Sequence, residues 1–123
     1  NPRMVGVLQD GSRAYVVNEG NPSLPCAAPT TALPLGNCTV SVINLTSNTV
    51  TATIPIPVST NTGNSTLNGH PNYIAVTTGT PTGKVYVTSP ESNFMTVIRT
   101  DTDAVLTTIP LQGAGISVRM TQP

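Results

Sequence analysis

Laid against itself, the chain matches at an offset of 55 residues: Thr39-Val40-Ser41-Val42-Ile43-Asn44 aligns with Phe94-Met95-Thr96-Val97-Ile98-Arg99, and Val50-Thr51-Ala52-Thr53-Ile54-Pro55 with Val105-Leu106-Thr107-Thr108-Ile109-Pro110. The front halves of the two copies match as well, Pro2 with Pro71, Val5-Gly6-Val7 with Ile74-Ala75-Val76, Gly11 with Gly83 and Tyr15-Val16-Val17 with Tyr86-Val87-Thr88, at offsets of 69 to 72. An insertion at residues 19–37 of the first copy, holding Cys26 with Pro22, Pro25, Pro29 and Pro34, accounts for the difference. Such a duplication narrows the choice of fold sharply. Each copy must be a supersecondary unit that cannot bury its apolar surface alone and does so by stacking on a neighbour.

Each unit reads as four short strands broken by turns. In the first copy they are expected near 3–8, 13–18, 39–44 and 49–54, and in the second near 72–78, 84–89, 94–99 and 104–109. The runs are β-branched and lack strict alternation, as expected of sheets covered on both faces. Thr, Ser and Asn occupy most polar positions, and Thr also favours strands over helices. Gln9-Asp10-Gly11-Ser12, Leu45-Thr46-Ser47-Asn48 and Thr100-Asp101-Thr102-Asp103 supply turn residues. Pro55 and Pro110 end the fourth strand at the same place in both copies, where the missing N–H stops the ladder.

A repeated four-stranded unit of about 40 residues matches a β-propeller blade. The segments His70-Pro71-Asn72-Tyr73-Ile74-Ala75-Val76, Gly83-Lys84-Val85-Tyr86-Val87-Thr88-Ser89, Val97-Ile98-Arg99 and Ala104-Val105-Leu106-Thr107-Thr108-Ile109-Pro110 resemble the YVTN family of β-propeller repeats. Ala14-Tyr15-Val16-Val17-Asn18 and Asn48-Thr49-Val50 carry the same resemblance in the first copy, with departures from the family pattern at Ser89 and Arg99. The resemblance implies an all-β fold of propeller blades and an extracytoplasmic protein, secreted, periplasmic or on the cell surface. No catalytic residues transfer with it, because the motif positions are packing and turn positions.

The chain is expected to divide into a blade at 1–57, a linker at 58–69, a second blade at 70–111 and the first strand of a further blade within 112–123. Its boundaries read as those of a piece cut from something longer. A closed propeller has about four to eight blades, so two expose two apolar faces. The expected partners are the remaining blades of a longer chain or further copies of this one.

Five Lys and Arg balance five Asp and Glu, only 8% of residues being charged. The scattered cations argue against a nucleic-acid surface, which needs them clustered. No stretch approaches the ~20 apolar residues of a membrane helix, and the chain is expected to be soluble. Cys26 and Cys38 read best as a disulfide in an oxidising compartment. Free thiols and a metal site stay open, the latter disfavoured because two thiols and one histidine distant in sequence do not make four ligands.

No nucleophile motif accompanies His70, which reads as a turn or rim residue. Asp101 and Asp103 flank a hairpin turn and read as turn-stabilising rather than calcium-binding, since the equivalent turn at 46–48 has no acids. Tyr15 and Tyr86 occupy matching positions and read as packing between blades. Tyr73 and Phe94 lack aromatic counterparts and are candidates for a sugar-binding surface. The prolines of the insertion are candidates for a protein contact. Three sequons, at Asn37, Asn44 and Asn64, occur in a Thr- and Asn-rich sequence that generates them by chance. The expectation is thus a non-enzymatic structural or protein-binding module without a cofactor. A lectin-like ring of several copies and a part of a larger lactonase-like hydrolase are the alternatives.

Overall fold

A computed structural model describes residues 1–21, 23, 24, 26, 36–56, 70–77, 83–90, 92–113 and 117–121. These form eight strands: β1 (Pro2–Val7), β2 (Arg13–Asn18), β3 (Thr39–Asn44), β4 (Thr49–Pro55), β5 (Tyr73–Val76), β6 (Lys84–Thr88), β7 (Phe94–Arg99) and β8 (Ala104–Pro110). They make two four-stranded antiparallel sheets, ordered β1-β2-β3-β4 and β5-β6-β7-β8. The fold is all-β, two propeller blades, with no helix among the described residues.

The repetition extends to hydrogen bonds and irregularities. In β3–β4, Val42 faces Ala52 but Ile43 faces Val50, which leaves Thr51 as the extra residue of a β-bulge. In β7–β8, Val97 faces Thr107 and Ile98 faces Val105, which leaves Leu106 in the equivalent place. Leu45 N donates to Ser12 O and Thr100 N to Gly83 O, while Ile56 N donates to Cys38 O and Leu111 N to Asn93 O. Asn48 and Asp103 close the two equivalent hairpins with φ of 55° and 51°. Asn and Asp tolerate that left-handed conformation better than other residues with a Cβ.

The core lies between the sheets. Tyr15, Val17, Val40, Val42 and Ile54 of the first pack with Ile74, Val85, Val87 and Ile98 of the second, and Leu8, Ile56, Cys26 and Cys38 complete the cluster. Among strands of different sheets, β1 and β5 approach closest. Gly6 sits at that approach: a Cβ there would lie 2.6 Å from Val76 Cγ2. At the far side β4 and the start of β8 part, leaving a groove lined by Ala52, Ile54, Pro55, Ala104 and Val105. First strands together and last strands apart is the arrangement of blades around an axis.

Of the run 115–120, expected as the first strand of a further blade, residues 117–120 are described and belong to no strand. The linker at 58–69 lies outside the described residues.

Candidate functional site

Arg13, at the start of β2, donates through Nη1 to both carboxylate oxygens of Asp103 at 2.9 Å. The Tyr15 hydroxyl donates to Asp103 Oδ1 at 2.7 Å. Tyr15 is fully buried. Burial above all, and then the adjacent Asp103 carboxylate, push its hydroxyl well above the ordinary tyrosine range, so it stays a proton donor. Asp103 therefore does more than the local turn bonding expected of it: its carboxylate joins the turn of one sheet to the second strand of the other. Asp101 bonds instead to Arg99 Nε at 2.9 Å on the surface. Nothing in the sequence linked Arg13 to Asp103, because only the stacking of the sheets brings them together.

Equivalent residues of the two sheets differ in what covers them. The back face of the second sheet, carrying Ile74, Val87, Ile98 and Val105, lies on the first sheet, and Ile74 is 3% exposed. Its equivalent in the first sheet is Val5, 55% exposed, and on the same face Val50 is 60% exposed. The front face of the first sheet is covered, with Ile54 5% exposed, whereas the equivalent Ile109 of the second is 38% exposed. Tyr86 and Met95 on that front face are likewise only partly covered, although Val97 and Thr88 beside them are buried. The molecule thus presents an open back at one end and a partly covered front at the other. The joint in its middle is a front laid on a back.

A second cluster stands at the base of the insertion. Asn21 N donates to Gly36 O at 2.8 Å and narrows the neck. Gly20 is there with φ of 78°, and a Cβ on it would collide with the Gly36 carbonyl. Cys26 and Cys38 are joined in a disulfide, Cα atoms 5.1 Å apart. His70 is 4% exposed, not a rim residue as its place before a proline suggested. Its Nδ1 lies 2.7 Å from the Glu19 carbonyl oxygen, 3.4 Å from Cys38 Sγ and 3.5 Å from Cys26 Sγ. A carbonyl has no proton to give, so Nδ1 carries the hydrogen. Cys38 Sγ is 3.1 Å from the same carbonyl. The histidine that is remote in sequence is thus packed on both sulfurs, because the second sheet's entrance is stacked on the insertion's base.

The candidate binding residues are not brought together. Tyr73 shares a face with Thr88 and Met95, whereas Phe94 lies on the opposite face with Thr96 and Ile98, since neighbouring residues of a strand point to opposite sides. Phe94 lines a small hollow with Ile56, Pro71, Val87 and Ser92. Pro22, Pro25, Pro29 and Pro34 lie outside the described residues. Among the described residues, Cys26, Cys38 and His70 form the one group of three or more His, Cys, Asp or Glu side chains close enough to share a metal ion.

No protein-family model matches the chain, and no curated protein matches it. Among solved structures it is similar to a chain of the hydrazine synthase of Kuenenia stuttgartiensis, a protein that contains a β-propeller, with a TM-score of 0.65 and 18% sequence identity. The match covers 98% of this chain and 26% of that one. The chain therefore spans about a quarter of the length of that structural relative. At this identity the likeness is one of fold.

Proposed function

We propose that the chain is a non-enzymatic segment of an extracytoplasmic, YVTN-type β-propeller, serving as a structural or protein-binding module. The observation that carries this reading is the pairing of incompletely covered faces: a back exposed at Val5 and Val50, and a front only partly covered at Tyr86 and Ile109, each apolar and each the equivalent of a face already buried in the central joint. The partners that fit are neighbouring blades, from a longer chain or from further copies. The disulfide supports a place outside the reducing cytoplasm. The polar group that bridges the sheets, Arg13 with Tyr15 and Asp103, is occupied in holding them together, which supports scaffold over catalyst. A lectin-like role draws no support from Tyr73 and Phe94 on opposite faces. A hydrolase would take its catalytic groups from blades beyond these residues.

The native mass of the chain, measured by light scattering under non-reducing conditions over a range of concentrations, tests the proposal. Association is expected, as a discrete ring or as an open series, and Val5→Glu on the open back is expected to suppress it while leaving the far-UV spectrum unchanged. A chain that stays monomeric at every concentration would show that the open faces seek no partner, and the reading would fall.

A further inference from the structure

Among the described residues, the Cys26–Cys38–His70 group is where buried, chemically versatile side chains from three parts of the molecule converge: the insertion, the entrance to β3 and the entrance to the second sheet. All three residues are buried, and their Sγ and Nδ1 atoms lie within 4.8 Å of one another. A tetrahedral zinc site has Zn–S of about 2.3 Å and Zn–N of about 2.0–2.1 Å, so its sulfur-to-nitrogen edges measure about 3.5 Å. The two such edges here are 3.4 and 3.5 Å. The sulfur-to-sulfur edge departs from the tetrahedron because the sulfurs are bonded, and the Glu19 carbonyl oxygen, 2.7 Å from Nδ1 and 3.1 Å from Cys38 Sγ, stands closer than a fourth ligand would.

We propose that this group is a two-state centre, a disulfide when oxidised and a Cys2His zinc site when reduced, with Cys26 Sγ, Cys38 Sγ and His70 Nδ1 as ligands. A dithiol or phosphine supplies the two electrons. With a dithiol the Cys26–Cys38 bond breaks, each sulfur takes a proton, and the reductant leaves as its own disulfide. Zinc(II) then displaces the two thiol protons to solvent, while the histidine hydrogen moves from Nδ1 to Nε2 and frees the ligating lone pair. The sulfurs separate to about 3.8 Å, and the Glu19 carbonyl draws back from Nδ1 to admit the metal. The Glu19 carbonyl, already against Nδ1 and Cys38 Sγ, or a water closes the fourth position. Thiolate and imidazole donors together favour zinc over the hard cations magnesium and calcium. In either state the centre fastens the insertion and the first sheet to the entrance of the second, so reduction without metal is the condition that loosens them.

The test uses the purified full chain, before and after reduction with a phosphine, titrated with zinc(II) and with cobalt(II) as a spectroscopic stand-in. One metal per reduced chain is expected, with thiolate-to-cobalt charge-transfer absorption that is absent from the oxidised protein and from the double variant Cys26→Ser, Cys38→Ser. His70→Gln is expected to weaken zinc by at least about tenfold, as loss of groups around a zinc commonly does, and to shift the cobalt ligand-field bands. The oxidised His70→Gln protein, compared by far-UV spectrum, separates loss of a ligand from loss of fold. Three results would overturn the proposal: zinc affinity of the reduced chain no better than that of the double serine variant, unchanged affinity and cobalt spectrum in His70→Gln, or a reduced chain that unfolds and is not restored by zinc.

Discussion

Ile54 and Ile109 occupy the same place in two sheets of the same strand order, the same bulge and the same loop hydrogen bonds, yet one is buried and the other is 38% exposed. Asn48 and Asp103 share a left-handed turn position, but only Asp103 bonds across to the other sheet. What differs between the two blades is the neighbour, not the unit. A blade carries two apolar faces, and which is buried depends on the side from which it is approached. The residues of a repeat are therefore to be judged by joint, one front with the next back, more than by blade.

That contrast can be broken most forcefully at the paired tyrosines. Tyr15→Ala removes a fully buried aromatic and the hydroxyl bonded to Asp103, and is expected to destabilise by about 3–5 kcal/mol in urea unfolding. Tyr86→Ala, on the open front, is expected to cost less than half as much. Equal losses would mean that the front of the second sheet is covered in solution. A smaller effect sharpens the same comparison at the turns. Asp103→Asn keeps a residue suited to positive φ and removes the charge facing Arg13, so a loss of about 1.5–3 kcal/mol is expected, as for hydrogen bonds to charged groups. Combined with Arg13→Gln it should be clearly non-additive, whereas Asn48→Asp with Arg13→Gln should be closer to additive, because the Arg13 guanidinium is bonded to Asp103.

The smallest effect is expected in acid. Ser12 hydrogen bonds hold Asp10 below the ordinary carboxylate range, and the Arg3 and Arg99 guanidinium groups do so for Glu19 and Asp101. A depressed folded-state pKa contributes stability that is present above the unfolded carboxylate value of about 4 and is lost as the pH falls through the lower folded value. Two of these three groups belong to the first blade and its insertion. Thermal midpoints followed below about pH 4 should therefore flatten more with Asp10→Asn and Glu19→Gln than with Asp101→Asn. Asp10 and Asp101 lie at the surface, where solvent screens them, while the Glu19 side chain is 14% exposed.

The eight strands were legible because each is a β-branched run bounded by turn residues, and Pro55 and Pro110 marked their common end. The bulge was not, since Thr51 and Leu106 share no residue type and a bulge is a matter of hydrogen-bond register. His70 was misread for another reason. Its surroundings in sequence are a linker and a proline, while its surroundings in space are two sulfurs and a carbonyl from residues 32 to 51 positions away. Arg13 and Asp103 were hidden in the same manner, 90 residues apart. Local chemistry marks elements; contacts that depend on how elements stack have no local signature.

The splay between β4 and β8 sets a rotational step. Two plates that meet along one edge and part along the other form a wedge, and a wedge repeated by the same rotation describes an arc. Four to eight blades around an axis correspond to steps of about 90° down to about 45°. The step here depends on what fills the groove beside Ala52, Ile54, Ala104 and Val105, two of them the smallest side chains that still have a Cβ. The number of blades in a ring is then not written in any one unit. It is a property of the gap between two, and the alanines in that gap leave it to be set by side chains only a methyl group or two in size.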